Sequence, residues 1–165
     1  MDDPVVFTVH DAGLAWRNPP GRVSDRPRGV AVWQFNLFHH PVRVRLPGGE
    51  RRLDAPAGLW FAPHQPQWYV GADGGFSDDW LTCSGPLAAL LARYGVPAGM
   101  PLAVADPAAV EACLHAIRRE LDRRLPFADE ALSDLVRALA RQLGRGRLRS
   151  PAAGPGARAV LALRE

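Results

Sequence analysis

The chain has 165 residues, 47% of them hydrophobic, which suits one packed unit of ordinary domain size and excludes a largely disordered protein. All 20 basic residues are Arg and the net charge is +3, too small to argue by itself for nucleic acid. Cys83 and Cys113 are far apart without metal-type spacing, the acidic start MDDPVVFTVHD has no signal-peptide core, and no apolar run approaches the roughly 20 residues of a membrane span, so reduced thiols and a cytoplasmic location are expected.

Residues 1–85 read as β structure. VVFTVH is a short strand and GLAWRNPPGRVSDRPRG a loop rich in Pro, Gly and Arg. VAVWQFNLF (30–38) is a strand of β-branched and aromatic residues. VRVRL (42–46) alternates strictly, with Val42, Val44 and Leu46 on one face and Arg43 and Arg45 on the other, the mark of a half-buried strand. PGGE (47–50) supplies a hairpin turn. RRLDAPAGLWFAP gives two further strands around a Pro-Gly turn, and QWYV and DWLTC complete the set. Strands at this spacing argue for an antiparallel sandwich or small barrel rather than βαβ units.

Residues 86–144 read as helical. Ser84 is expected to cap the change, with Pro86 in the first turn of a helix whose inward face is Leu87, Leu90, Leu91 and Tyr94. Asp106-Pro107 opens a second helix with Val110, Leu114, Ile117 and Leu121 in a narrow seam. A third runs from about Ala128, with Leu132, Leu135, Val136, Leu139 and Leu143 inward, antiparallel to the second across the short RLPFAD loop. Residues 145–165 read as a basic Gly/Pro/Ala linker followed by the start of something further.

No catalytic constellation stands out, and the chain is expected not to be an enzyme. Ser84 has no elbow motif around it and no nearby His-Asp pair. His39-His40 lacks the further ligands of a metal site, so neither metal nor cofactor is expected. Asp78 and Asp79 are adjacent on a strand, point to opposite faces and cannot share a proton. Asp78 shares a face with Trp80 and Thr82, which suits an acceptor in a pocket. Four of the five Trp (16, 33, 60, 68, 80) fall on expected strands, where they either fill the core or stack on a flat ligand. Because both faces of several strands are apolar, alternation leaves open which face is inward.

Two segments carry a family resemblance. VWQFNLFHHPVRVRLPGGERRLDAPAGLWFAPHQPQWYV and DWLTCSGPLAALLARYGVP resemble, in order, the strand run and the barrel-to-helix junction of the N-terminal half of AraC-type transcriptional regulators. The likeness spans about residues 28–145. It implies an α+β fold, an antiparallel double-stranded β-helix (cupin-like) barrel over 1–85 followed by a helical hairpin over 86–144, with 145–165 leading into a DNA-binding helix-turn-helix half that this chain lacks. The implied function is effector sensing and homodimerisation: a small molecule, a sugar or an aromatic compound, would contact Trp80, Asp78, Gln67, Tyr69, Trp33 and His40. Leu114, Leu121, Leu132 and Leu139 would form the dimer contact, or else pack within the chain. The chain departs from the pattern at Gln67, where members often carry His, and at His39-His40-Pro41. A stand-alone cupin-type binding protein or metal-free enzyme, and a helical interaction module with a ligandless barrel, are the competing readings.

Overall fold

The structure is a computed structural model that describes residues 6–149. Its strands are β1 (Thr8–Asn18), β2 (Ser24–Arg26), β3 (Trp33–Phe38), β4 (Val42–Leu46), β5 (Gly49–Leu53), β6 (Ala57–Phe61), β7 (Gln67–Gly71), β8 (Phe76–Ser84) and β9 (Leu102–Ala103). The helices are α1 (Leu87–Arg93), α2 (Pro107–Arg123) and α3 (Ala128–Arg149). The result is a mixed α+β fold with two antiparallel sheets, ordered β1-β8-β3-β6-β9 and β2-β7-β4-β5. The first strand pairs with the eighth, the second with the seventh, the third with the sixth and the fourth with the fifth, so the chain crosses from sheet to sheet between partners.

β3 and β6 are covered on both faces, and every residue of each is buried, including Gln34 and Asn36 of β3. The five-stranded sheet lies between the other sheet and the helices. On its helix-facing side Trp33, Phe35, Leu37, Trp60, Leu81 and Cys83 pack with Leu87, Leu91, Leu114, Ile117, Leu132 and Leu139. On its other side Phe38, Leu59, Phe61 and Phe76 meet Val42, Val44, Leu53 and Tyr69 of the second sheet. The four-stranded sheet turns its outer face to solvent, which is why β4 alternates buried and exposed along its length. There Arg45 lies over the Trp68 ring at 4.1 Å.

Three local expectations change. GLAWRN belongs to β1 rather than to a loop, because its backbone completes the sheet edge along β8 through Asn18↔Phe76. Ser84 is the last residue of β8 and contacts His10 Nε2 at 2.6 Å, leaving Pro86 as the N-cap of α1 with no side-chain cap. Residues 145–149 continue α3 instead of starting a linker. Just before them Gly144 serves packing: a Cβ there would fall 2.5 Å from the Tyr94 carbonyl oxygen, so a residue without one lets α3 approach the end of α1. Asp106 caps α2 as expected, accepting from Ala109 N–H at 3.1 Å, with Pro107 in the first turn. The segment 150–165, including the expected lead-in to a further half, lies outside the described residues. No described helix is long and apolar enough to cross a membrane.

Candidate functional site

A cavity of about 360 Å³ opens between the two sheets at one end of the sandwich. Its position follows from strand alternation. Along β3 the inward residues are Gln34, Asn36 and then Phe38; along β8 they are Phe76, Asp78, Trp80 and Thr82. The apolar ends of the two strands close the core, and their polar ends face the cavity. Tyr69 of β7 stands at the boundary, stacked near Phe61 on one side and lining the cavity on the other.

The polar wall is a directed chain of hydrogen bonds. Gln34 Nε2 donates to Asn36 Oδ1 at 2.9 Å, Asn36 Nδ2 donates to Asp78 Oδ2 at 2.6 Å, and Asn18 Nδ2 donates to Asp78 Oδ1 at 3.2 Å. An ionised carboxylate only accepts, so it fixes which amide atom points at it, and that choice propagates back to Gln34. Asp78 is 3% exposed and joins no ion pair among the described residues. Burial pushes its carboxyl up to about 6, against the pull of the Asn36 and Asn18 hydrogen bonds. The group is therefore mostly ionised at neutral pH yet within easy reach of protonation.

Aromatic rings continue the same sheet's wall toward the mouth. Trp80 meets Trp16 edge-on at 6.4 Å. The indole of Trp80 lies so close to β1 that a Cβ on Gly13 would fall 2.4 Å from its Nε1; glycine at 13 is what lets the ring lie flat there. Directly after it β1 bulges between Gly13 and Trp16, with Ala15 in the left-handed region at φ 47°. A bulge re-aims the side chains beyond it, and Trp16 emerges 55% exposed at the cavity rim. Ala15 N–H donates to Asp79 Oδ1 at 2.6 Å, which holds the bulge.

Cationic and donor groups line the mouth. Arg22 and Arg26 both face the cavity. Arg26 Nη1 donates to Gln67 Oε1 at 3.0 Å, while Gln67 Nε2, on a side chain 1% exposed, has no hydrogen-bond partner. Gln67 and Tyr69 are two apart on β7 and share its inward face, opposite Arg26 and Ser24.

Behind the cavity wall, on the helix side of β8, Asp79 meets a different set. His39 Nε2 lies 3.2 Å from Asp79 Oδ1, and His39 Nδ1 lies 3.6 Å from Glu111 Oε1 of α2. Burial pushes the Asp79 carboxyl up, but the His39 and Ala15 hydrogen bonds and the charges of His39 and His115 outweigh it, and the net shift is downward. The Asp79 hydrogen bond, opposed by burial and aided by nearby carboxylates, raises His39 above 6.5.

Of the six residues expected to contact a ligand, the structure places Trp80, Asp78 and Tyr69 in the cavity wall and Gln67 just behind it on Arg26. It places Trp33 elsewhere: two-residue alternation turns it with Phe35 and Leu37 to the helix side, where it is core. His40 is also elsewhere, with its Nδ1 accepting from Ser77 N–H at 3.1 Å beside a separate, more open pocket of about 550 Å³ next to Arg17 and Phe76. The four leucines expected at a dimer contact are 0–7% exposed within one chain, so their intramolecular packing already covers them. Asn18, Gln34, Asn36, Arg22 and Arg26 were not anticipated. Gln34 and Asn36 did leave a signal, since two polar residues spaced by two inside WQFNLF must share a face. Nothing marked the Arg pair out from other loop arginines.

No family description matches the chain, and no curated protein matches it either. Similar solved structures exist at low similarity. One is PhpD with cadmium and hydroethylphosphonate, at 16% identity and a TM-score of 0.35, covering 81% of this chain and 42% of that one. Another is a variant of 2-hydroxyethylphosphonate dioxygenase, at 16% identity and a TM-score of 0.34, covering 81% and 41%. A third is that dioxygenase from Streptomyces albus with 2-hydroxyethylphosphonate and Fe(II), at 18% identity and a TM-score of 0.32, covering 84% and 43%. The chain thus spans less than half the length of each. The expectation that the chain is not an enzyme is corrected by this finding, since the solved structures it is similar to include dioxygenases. Their metals and substrate belong to those proteins. In this chain no group of three His, Cys, Asp or Glu among the described residues is placed to hold a metal ion.

Proposed function

We propose that this chain is a small-molecule-binding protein of cupin type, in which the two sheets wind as a double-stranded β-helix and the cavity floored by Asp78 takes a polar ligand. The winding is supported by the nested strand pairing, first with eighth through fourth with fifth. The observation that carries the function is the Asp78 carboxylate: buried, in no ion pair among the described residues, and set in the wall of an open cavity beside Trp80. Burying an unpaired charge is costly unless something completes its environment. A ligand that donates to Asp78 while stacking on the Trp80 ring does so. A carboxyl near 6 can also exchange a proton with what it binds, so the reading includes an enzyme that uses Asp78 in this way.

A second reading keeps the sensory half of an AraC-type regulator. It is favoured by the back-to-back carboxylates of β8, Asp78 toward the cavity and Asp79 toward α2 through His39 and Glu111. A ligand pulling on one would be felt by the other.

The test is a melting-temperature and tryptophan-fluorescence screen of the purified chain against sugars, polyols, small amines and hydroxy acids, repeated on Trp80→Ala and Asp78→Ala. Stabilisation by at least one class, lost in both variants while each still unfolds cooperatively, is the expected result. Stabilisation that survives both substitutions removes the cavity from the function.

A further inference from the structure

We infer that the ligand of this cavity is bifunctional: a small molecule with an anionic group at one end and a hydroxyl or ammonium donor at the other. The inference rests on the binding reading above and adds the ligand's chemistry. Three observations carry it. At the inner wall the Asp78 carboxylate is the one charged group; it can only accept, and each of its oxygens takes a single amide N–H, from Asn18 or Asn36, which leaves acceptor capacity to spare. What enters there must donate. The mouth has the opposite character. Arg22 joins no ion pair among the described residues, Arg26 is anchored on Gln67 behind the wall by one guanidinium nitrogen, and both Arg line the cavity. A planar guanidinium with free N–H groups suits a carboxylate, phosphonate or phosphate better than any neutral group. Between the two ends the walls are the rings of Trp16, Trp80 and Tyr69, which accept a short carbon chain without directing a hydrogen bond at it. A neutral polyol would satisfy the inner wall and leave the mouth's donors unused; a simple acid would do the reverse.

The experiment is calorimetric titration with five probes of one chain length: γ-hydroxybutyrate, γ-aminobutyrate, butyrate, butylamine and butanediol. At least one of the two bifunctional acids is expected to bind roughly tenfold or more tightly than every single-ended or neutral probe, since each adds a charge-assisted contact. Arg22→Gln combined with Arg26→Gln should remove that advantage while leaving any butanediol or butylamine binding unchanged. Asp78→Asn should remove the advantage of γ-aminobutyrate over butyrate. Butanediol or butylamine binding as tightly as the acids, or an acid affinity indifferent to the double Arg substitution, overturns the bifunctional class but leaves the cavity reading standing. No acid binding at concentrations on the order of 10 mM overturns the class as well. Whether the cavity binds anything is then decided by the remaining probes and the wider screen.

Discussion

The two sides of the five-stranded sheet are built from the same strands and do opposite things. The helix-facing side is continuous apolar packing, Trp33, Phe35, Leu37, Trp60 and Leu81 against leucines of all three helices. The cavity-facing side is apolar only at one end and carries Gln34, Asn36, Asp78 and Thr82 at the other. β8 states the contrast in two adjacent residues. Asp78 and Asp79 are equally buried at 3% exposure, yet one is raised by desolvation and the other ends lowered because His39 and a backbone N–H meet it. Burial alone therefore does not set a carboxylate's behaviour; the partners set against it decide the outcome. The compensated face is structural, and the uncompensated one is available for work.

Substitutions that should differ across the sheet test this contrast. The largest effect is expected from Phe35→Ala, which empties space against Trp60, 4.9 Å away between ring centroids, and should cost about 3–5 kcal/mol in urea unfolding. Its neighbour Gln34→Ala on the cavity side should cost only about 1 kcal/mol. Equal losses would mean that the cavity face is as tightly packed as the helix face.

Next is Asp78→Asn. The native carboxyl holds its proton up to about 6, against 3.8 for the free group, so wild-type stability falls as pH rises between those values and is level above them. The Asn variant lacks this loss and should gain on wild type by roughly 2–3 kcal/mol between about pH 4 and pH 8. A difference that stays constant over that range would show that Asp78 is not electrostatically uncompensated.

The smallest effect belongs to the compensated side. His39 is raised above 6.5, so its contribution is fully present below that pH and is lost as pH rises through the raised value. Asp79, lowered, contributes above 3.8 and loses its contribution as pH falls through its own value. His39→Gln should therefore cost about 1 kcal/mol near pH 5 and progressively less in alkaline buffer. A penalty that grows with pH would show that the ring acts neutral, as a packing group.

Much of the fold was legible. β4 matched its alternation residue for residue, and α2 began at its Asp-Pro cap. The opposed faces of Asp78 and Asp79 followed from strand geometry alone. What failed, failed for reasons of packing. Trp33 looked like a ligand contact although Gln34 and Asn36, on the opposite face of β3, marked the side that lines the cavity. The leucines of α2 and α3 stayed open between a dimer contact and packing within the chain, because a seam spaced by four, three and four suits a sheet as well as another helix. Residues 145–149 looked like linker because Gly146 and the Arg around it carry no apolar period, yet they continue α3.

The sequence by itself determined most of the strands, where each helix begins, where the architecture changes, and that Asp78, Trp80 and Thr82 act on one side. Local propensity, capping and period are short-range properties, and the chain carries them residue by residue. Only the tertiary structure decided that Gln34, Asn36, Asn18 and Asp78 form one polar chain, that Arg22 and Arg26 guard it, and that Asp79 is satisfied by His39. Those groups come from β1, β2, β3 and β8 and the segments beside them, and pairing across two sheets, which no local pattern encodes, is what brings them within hydrogen-bonding distance or around one cavity.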